Sequence, residues 1–165
     1  VQALIALGSN LGDSRRILLA AFERLAALSA TALRRSSLWR STPVDCPPGS
    51  PDFLNAAAAL VPLSGETPET LLVKLQSLER EFGRRPKTVP NEARPLDLDL
   101  ITFGDEVRLT ATLTLPHPRA HQRGFVLAPL AELAPALKLP GQARTVAELL
   151  AALPGDAHPE RFPDA

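Results

Sequence analysis

The sequence predicts an α+β chain: an antiparallel sheet with helices packed on one face, followed by a C-terminal extension. Short β-rich runs at 1–7, 32–41, 53–61 and 96–103 are each bounded by turn residues. Two stretches, 14–28 and 68–82, carry apolar residues at helical rather than alternate spacing. The order is therefore strand, helix, strand, strand, helix, strand, which is the split βαβ, or ferredoxin-like, βαββαβ arrangement.

Each element has its own warrant. Val1 to Leu7 is dense in β-formers and stops at the turn cluster Gly8-Ser9-Asn10. Ile17, Ala21, Leu25 and Leu28 repeat every three or four residues, so 14–28 is a helix with Asp13 as its cap. A second strand covers 32–41, while 42–52 holds four prolines and a glycine and is loop. The run 53–61 is short, apolar and closed by Pro62, hence a strand. Thr67-Pro68-Glu69 supplies a cap, a proline at the first helical position and an acid in the first turn. Leu71, Leu75, Leu78 and Phe82 then form one stripe, ended by Gly83. Leu96 to Phe103 alternates before Gly104-Asp105 turns the chain. Beyond it come a short strand region at 107–115, a helix across 119–127, and a last helix to Leu153 opened by the capping box Thr145-Val146-Ala147-Glu148. Residues from Pro154 read as a loose tail. No linker or solenoid repeat interrupts the chain, so 1–165 is expected to be one domain.

Composition narrows the function. Of 165 residues, 45% are apolar and 22% charged, a globular balance. Eighteen basic residues face 18 acidic ones, which argues against a protein held to nucleic acid by bulk charge. Arginine outnumbers lysine fifteen to three, and its planar fork suits phosphate and carboxylate oxygens, although a general bias towards arginine would look the same. Cys46 is the only cysteine, which excludes an internal disulfide or a multi-cysteine metal site and fits a reducing compartment. Wholly apolar runs such as 56–61 are too short to span a membrane, and the N-terminus carries no leader pattern. The expectation is a cytoplasmic protein without membrane attachment.

The sharpest chemical feature is Leu96-Asp97-Leu98-Asp99-Leu100. On a strand the leucines face the helices and the two acids project together from the other face. Their Cα atoms then lie roughly 6.5–7 Å apart, two strand rises. Such a pair suits Mg²⁺ shared with substrate phosphates, although alternating acids also occur on the wet side of any half-buried sheet. Cations bracket this pair: Arg84, Arg85, Lys87 and Arg94 in the preceding loop, His117, Arg119 and Arg123 after it. Arg119 and Arg123, spaced i and i+4, would share a helix face. Carboxylates for a divalent metal, ringed by arginine forks, are what phosphoryl transfer needs. Gly8-Ser9-Asn10-Leu11-Gly12-Asp13 is neither a Walker loop nor a dinucleotide fingerprint, and reads as a turn plus helix cap or as a loop bordering a ligand. Phe53 and Asn55 share a strand face, and a pair of aromatics such as Phe53 and Phe125 could hold a flat heterocycle, though either is equally at home in a core.

Taken as a set, these segments resemble the hydroxymethyl-dihydropterin pyrophosphokinase family of folate biosynthesis. The resemblance runs from Ala3 to about Pro140 and rests on Ile-Ala-Leu-Gly-Ser-Asn-Leu-Gly at 5–12, Ser41-Thr42-Pro43, Asp-Phe-Leu-Asn-Ala-Ala at 52–57, Glu79 with Phe82-Gly83-Arg84, Arg94-Pro95-Leu96-Asp97-Leu98-Asp99, and Leu-Pro-His-Pro-Arg at 115–119 leading to Arg123-Gly124-Phe125. It implies a ferredoxin-like fold and transfer of the terminal pyrophosphoryl group of ATP to the hydroxymethyl group of 6-hydroxymethyl-7,8-dihydropterin, releasing AMP. It also implies that Asp97 and Asp99 hold two Mg²⁺ ions, that Arg84, Arg94, His117 and Arg123 contact phosphates, and that Gln76, Glu79 and Leu100 lie on the nucleotide side. Thr42, Pro43, Phe53, Asn55, Asp97 and Phe125 are implied to surround the pterin, the two rings sandwiching it. Arg84, Arg94, Asp97, Asp99 and Arg123 would carry the catalysis, in a monomer. The pattern names no general base beyond Asp97.

Two departures stand out. Many members carry Arg-Trp-Gly-Pro-Arg before the acidic pair, where this chain has Pro90-Asn91-Glu92-Ala93-Arg94. The family's second loop arginine falls at Pro86, with Arg85 and Lys87 beside it. Loop 84–95 is therefore expected to seal the substrates differently. The competing classes are ferredoxin-like binding modules without catalysis. A nucleic-acid module would stack bases on sheet aromatics, and aromatics are only 4% of this chain. A small-molecule regulatory module would need neither the acidic pair nor the arginines around it.

Overall fold

The computed structural model describes residues 1–43, 46–84 and 92–163. Its elements are β1 (Ala3–Ser9), α1 (Ser14–Ala26), β2 (Arg34–Arg35), β3 (Leu38–Ser41), β4 (Phe53–Leu60), α2 (Pro68–Glu81), β5 (Asp97–Phe103), β6 (Arg108–Leu109), β7 (Thr114–Leu115), α3 (Gly124–Leu133), α4 (Val146–Ala151) and β8 (Glu160–Phe162). The caps read from sequence are in place. Asp13 accepts from the Arg16 amide, and Thr67 and Thr145 each open a helix with a reciprocal capping box.

The main sheet is antiparallel, in the order β5-β1-β4-β3-β8, with β2 also paired to β4. The expected second strand is two pieces. Ser36 interrupts it, donating its amide to the Ala57 carbonyl at 2.9 Å and accepting the Ala57 amide on its hydroxyl at 2.8 Å. On one face α1 and α2 bury Leu18, Phe22, Leu25, Leu71, Leu75 and Leu78 against Ile5, Leu7, Ala58, Leu98 and Leu100; of the stripe read for α1, Ala21 and Leu25 are buried and Ile17 and Leu28 only partly so. The opposite face is not bare. There α3 and α4 of the C-terminal extension lay Val126, Leu127, Leu130 and Val146 on Leu4, Ala6, Ala57, Ala59 and Ile101. Both faces being covered, β1 is buried along its whole length and reads as a continuous apolar run.

Three other expectations are corrected. The helix placed at 119–127 begins only at Gly124, because Arg123 is extended (φ −112°, ψ 111°) behind a 3₁₀ turn at Ala120–Gln122. Arg119 and Arg123 therefore do not share a helix face. The strand region at 107–115 is a small hairpin of β6 and β7. The tail after Pro154 is not loose. It forms a 3₁₀ turn at Gly155–Ala157 and then β8, which pairs with β3 through Leu38↔Phe162, Trp39↔Arg161 and Arg40↔Glu160.

Candidate active site

The alternation of β5 places Asp97 and Asp99 on the same face as Ile101, beyond the cover of α3 and α4. In register, Gly8 of β1 sits beside Asp97 and Ala6 beside Asp99, while Asn55 of β4 flanks Gly8 on its other side. Small residues on the central strand thus leave a floor between the acidic pair and Asn55. A Cβ at Gly8 would come within 3.5 Å of the Phe53 ring and 3.6 Å of Asn55 Oδ1, so any side chain there would stand on that floor. Above it opens a cavity of about 780 Å³ whose lining includes Thr42, Phe53, Asn55, Arg94, Asp97 and Asp99. Arg123 and Phe125 close it from α3. The volume is that of an ordinary small-molecule site.

The acids are tied into a network of cations. Arg84 Nη1 donates to Asp97 Oδ1 at 2.5 Å and to Glu79 Oε2 at 2.6 Å. Glu79 Oε2 also accepts the Leu98 amide at 2.8 Å, so a side chain of α2 grips the edge strand between the two aspartates. Burial pushes the Glu79 carboxyl up to about 7; the Leu98 amide and Arg84 oppose the rise and the Asp97 charge adds to it. Asp99 is also pushed up to about 7, by burial first and then by the Asp97 and Glu79 charges, with Arg123 and Arg84 pulling the other way. Arg94 Nε lies 3.7 Å from Asp97 Oδ2, is buried, and has no hydrogen-bond partner among the described residues. The Arg94 and Arg123 guanidiniums each lie 5.4 Å from a ring centroid, over Phe53 and Phe125 respectively.

Local structure holds these groups. Asn10 Oδ1 accepts the Arg94 amide at 2.9 Å, its own amide donates to the Arg94 carbonyl at 3.1 Å, and its Nδ2 donates to the Pro51 carbonyl at 3.3 Å. The turn after β1 caps α1 through Asp13, as its sequence suggested, and Asn10 pins Arg94 beside the site, a contact that the sequence did not announce. Asn55 Nδ2 donates to Ser41 Oγ at 2.7 Å, which orients its amide.

Not every candidate residue faces the cavity. Glu79 and Arg84 reach it only through Asp97 and Leu98. Gln76 is exposed on α2, and Pro43 lies just outside the lining next to Thr42. The Leu100 side chain is 4% exposed in the core beneath α1 and α2, so a ligand would meet this residue through its backbone. His117 is held by its amide to the Ile101 carbonyl at 2.9 Å, and its Nδ1 accepts the Arg119 amide at 3.3 Å. Burial and the nearby Arg123 and Arg119 lower its pKa, with the Asp97 charge opposing them. Trp39 lies on β3, its indole N–H donating to Glu132 Oε1 at 2.7 Å. Arg85, Pro86, Lys87, Pro90 and Asn91 lie outside the described residues. Sequence reasoning missed Arg40 and the segment 155–160, which also line the cavity. No local signal marks either; their placement follows from the β3–β8 pairing.

The donor set also bears on a metal. Among the described residues no three His, Cys, Asp or Glu side chains are arranged to hold an ion. Two carboxylates on one strand face leave most of an octahedral shell to water and substrate oxygens, which is how Mg²⁺ is usually held at phosphates. Asp97 and Asp99 fit that ion.

Fold and site together define a class: a ferredoxin-like α+β protein with an acidic pair, ringed by arginines, at the floor of an aromatic-lined cavity. The family model for 7,8-dihydro-6-hydroxymethylpterin-pyrophosphokinase (HPPK) matches residues 4–135. A 2-amino-4-hydroxy-6-hydroxymethyldihydropteridine pyrophosphokinase of Pseudomonas aeruginosa is 42% identical over 167 residues, covering 99% of this chain and 98% of the relative. One of Synechocystis is 39% identical over 151 residues, covering 90% and 74%. A crystal structure of the HPPK-DHPS of Plasmodium falciparum superposes with a TM-score of 0.70 at 14% identity, covering 91% of this chain. That likeness is one of fold, and this chain spans 45% of that protein. The chain belongs to the 7,8-dihydro-6-hydroxymethylpterin-pyrophosphokinase family.

Proposed function

We propose that this chain transfers the pyrophosphoryl group of ATP to the hydroxymethyl group of 6-hydroxymethyl-7,8-dihydropterin, giving AMP and the dihydropterin diphosphate for folate synthesis. Family membership supports the reaction. The observation that carries the site is Asp97 and Asp99 on one cavity floor with Arg94 and Arg123, each arginine stacked beside an aromatic ring. Polyphosphate-binding cations and ring-binding surfaces are thus adjacent, as a reaction joining a nucleotide tail to a pterin requires.

Asp97 and Asp99 would hold two Mg²⁺ ions, whose chemistry is to neutralise the triphosphate and the charge developing on the departing AMP. Arg94, whose buried Nε has no hydrogen-bond partner among the described residues, and Arg123 bind phosphate oxygens, with Arg84 and His117 at the margin. Phe53 and Phe125 hold the pterin faces, while Asn55 and Thr42 read its edge. The hydroxymethyl oxygen attacks the β-phosphorus in line as the bond to the α-phosphate oxygen breaks. Positioning and charge neutralisation supply most of the acceleration. One chain furnishes all of these groups, and the proposal is of a monomer.

The test is conversion of ATP to AMP with the pterin present and not without it; a binding module gives no AMP. Asp97→Ala and Asp99→Ala should each lower kcat by a factor on the order of 10²–10³ or more, the scale of losing one preorganised electrostatic stabiliser. Circular dichroism should be unchanged, since neither side chain belongs to the apolar cores. Near-normal kcat in either variant would remove the metal assignment.

A further inference from the structure

The segment following Pro154 belongs to no part of the family match, which ends at residue 135, yet residues 155–160 form one wall of the cavity. Its two ends are fastened to different elements of the site. At one end the Ala157 carbonyl packs so closely on Gly124 that a Cβ there would lie 1.9 Å from the oxygen and 3.4 Å from Pro159 Cδ. Only glycine permits that approach, and Phe125 follows immediately. At the other end β8 pairs with β3, one residue before Ser41 and two before Thr42. This end is reinforced: Arg161 Nη2 donates to Ser37 Oγ at 2.6 Å, Ser37 Oγ donates to Glu132 Oε2 at 3.0 Å, and Arg40 stacks over the Phe162 ring at 5.3 Å. Glu132 is itself on α3. The segment is a strap joining the start of α3 to the edge of the sheet.

We infer that this strap sets the width of the pterin slot, holding Phe125 at a fixed distance from the Phe53 and Asn55 side, and so governs affinity and selectivity for the pterin. The inference rests on the pterin assignment above. Apart from the strap, the start of α3 is held to the sheet by its apolar underside at Val126, Leu127 and Leu130 and by Ala120 just ahead of it. Of the phosphate-facing groups, Arg94, Asp97 and Asp99 come from β5 and its approach, across β1 and β4 from the strap, whereas Arg123 directly precedes Gly124 at the strap's anchor. The sheet end of the strap, at β3 and β8, therefore acts on the pterin side, while its Gly124 end also adjoins Arg123.

Arg161 and Phe162 do not line the cavity, so effects of replacing them pass through the strap and through Arg40, which lies over the Phe162 ring. Hydrogen exchange should show the amides of 155–162 freed in R161A/F162A and, from the opposite anchor, in G124A. R161A/F162A should then raise KM for the pterin about tenfold, with KM for ATP and kcat within about threefold of wild type, a split that general destabilisation does not give. G124A, at a residue that lines the cavity beside Arg123, should raise KM for the pterin at least as much. They should also accept 6-substituted pterins bulkier than hydroxymethyl more readily than wild type. Freed amides with an unchanged pterin KM, or in R161A/F162A a rise shared equally by both substrates, would overturn the proposal and leave the strap as a cover for the β3 edge. Calorimetric binding of the pterin in the presence of a non-hydrolysable ATP analogue separates the two readings. A wild-type chain that forms no AMP but binds the pterin more tightly than both variants would sink the activity and keep the strap.

Discussion

Glu79 shows what a single side chain contributes beyond its charge. Resemblance places it along the nucleotide, and its oxygen holds the Leu98 amide and Arg84 together. It is a positioning residue for the acidic pair. Partners that orient metal-holding carboxylates typically matter by about 10- to 100-fold in metal affinity or activity. Glu79→Ala should accordingly raise the Mg²⁺ concentration for half-maximal turnover by that order. Glu79→Gln, which can still accept the Leu98 amide, should recover part of the loss. An unchanged Mg²⁺ dependence in both variants would show that β5 holds its own register.

Among the elements, α2 carries a separate electrostatic test. Just before its cap, Glu66 accepts from Lys74 Nζ at 2.7 Å and from the Thr70 hydroxyl. Burial opposes ionisation of this carboxyl, but the bonds from Lys74 and Thr70 and the Lys74 charge outweigh it, and the pKa lies below the usual 4.5. A depressed carboxylate pKa gives stability that is present above the unfolded value and is lost as pH falls through the folded one. Glu66→Gln should cost about 1 kcal/mol near neutral pH, as one charge-assisted bond at a partly screened site does. Thermal melts of the two proteins should converge as pH falls below 4.5. A constant difference at all pH values would mean that packing, not ionisation, is responsible. Strand β5 makes a second point at this scale. Its register shifts where Leu4 pairs with Thr102 and Ile5 with Leu100, leaving Ile101 as an extra residue. That bulge lets Leu98, Leu100 and Phe103 all serve the core under α1 and α2, while Ile101 serves the other.

For the molecule as a whole, the sheet separates two apolar cores, and the second is contributed largely by the C-terminal extension. Leu127 is fully buried in it. Leu127→Ala should cost about 2–5 kcal/mol in chemical denaturation, the usual range for deleting a buried leucine side chain. A loss below about 1 kcal/mol would mean that α3 is a loosely held appendage, since a well-packed core does not collapse around such a cavity.

Local sequence determined a great deal here. Helix caps at Asp13, Thr67 and Thr145 are contacts within three residues, and Leu-Asp-Leu-Asp-Leu puts both acids on one face by period alone. Such features are legible because the interacting groups are near neighbours along the chain. The site residues read from the family resemblance lay within that legible region, and most of them do line one cavity. Tertiary structure decided the rest. The helix start at Gly124, the burial of the second sheet face, the grip of Glu79 on Leu98, the pinning of Arg94 by Asn10 and the docking of 160–162 on β3 all join residues distant in sequence. No local period or cap encodes such pairings. They arise only when the folded chain brings a free strand edge, a buried carboxylate or a glycine's open Cα against the one partner that satisfies it.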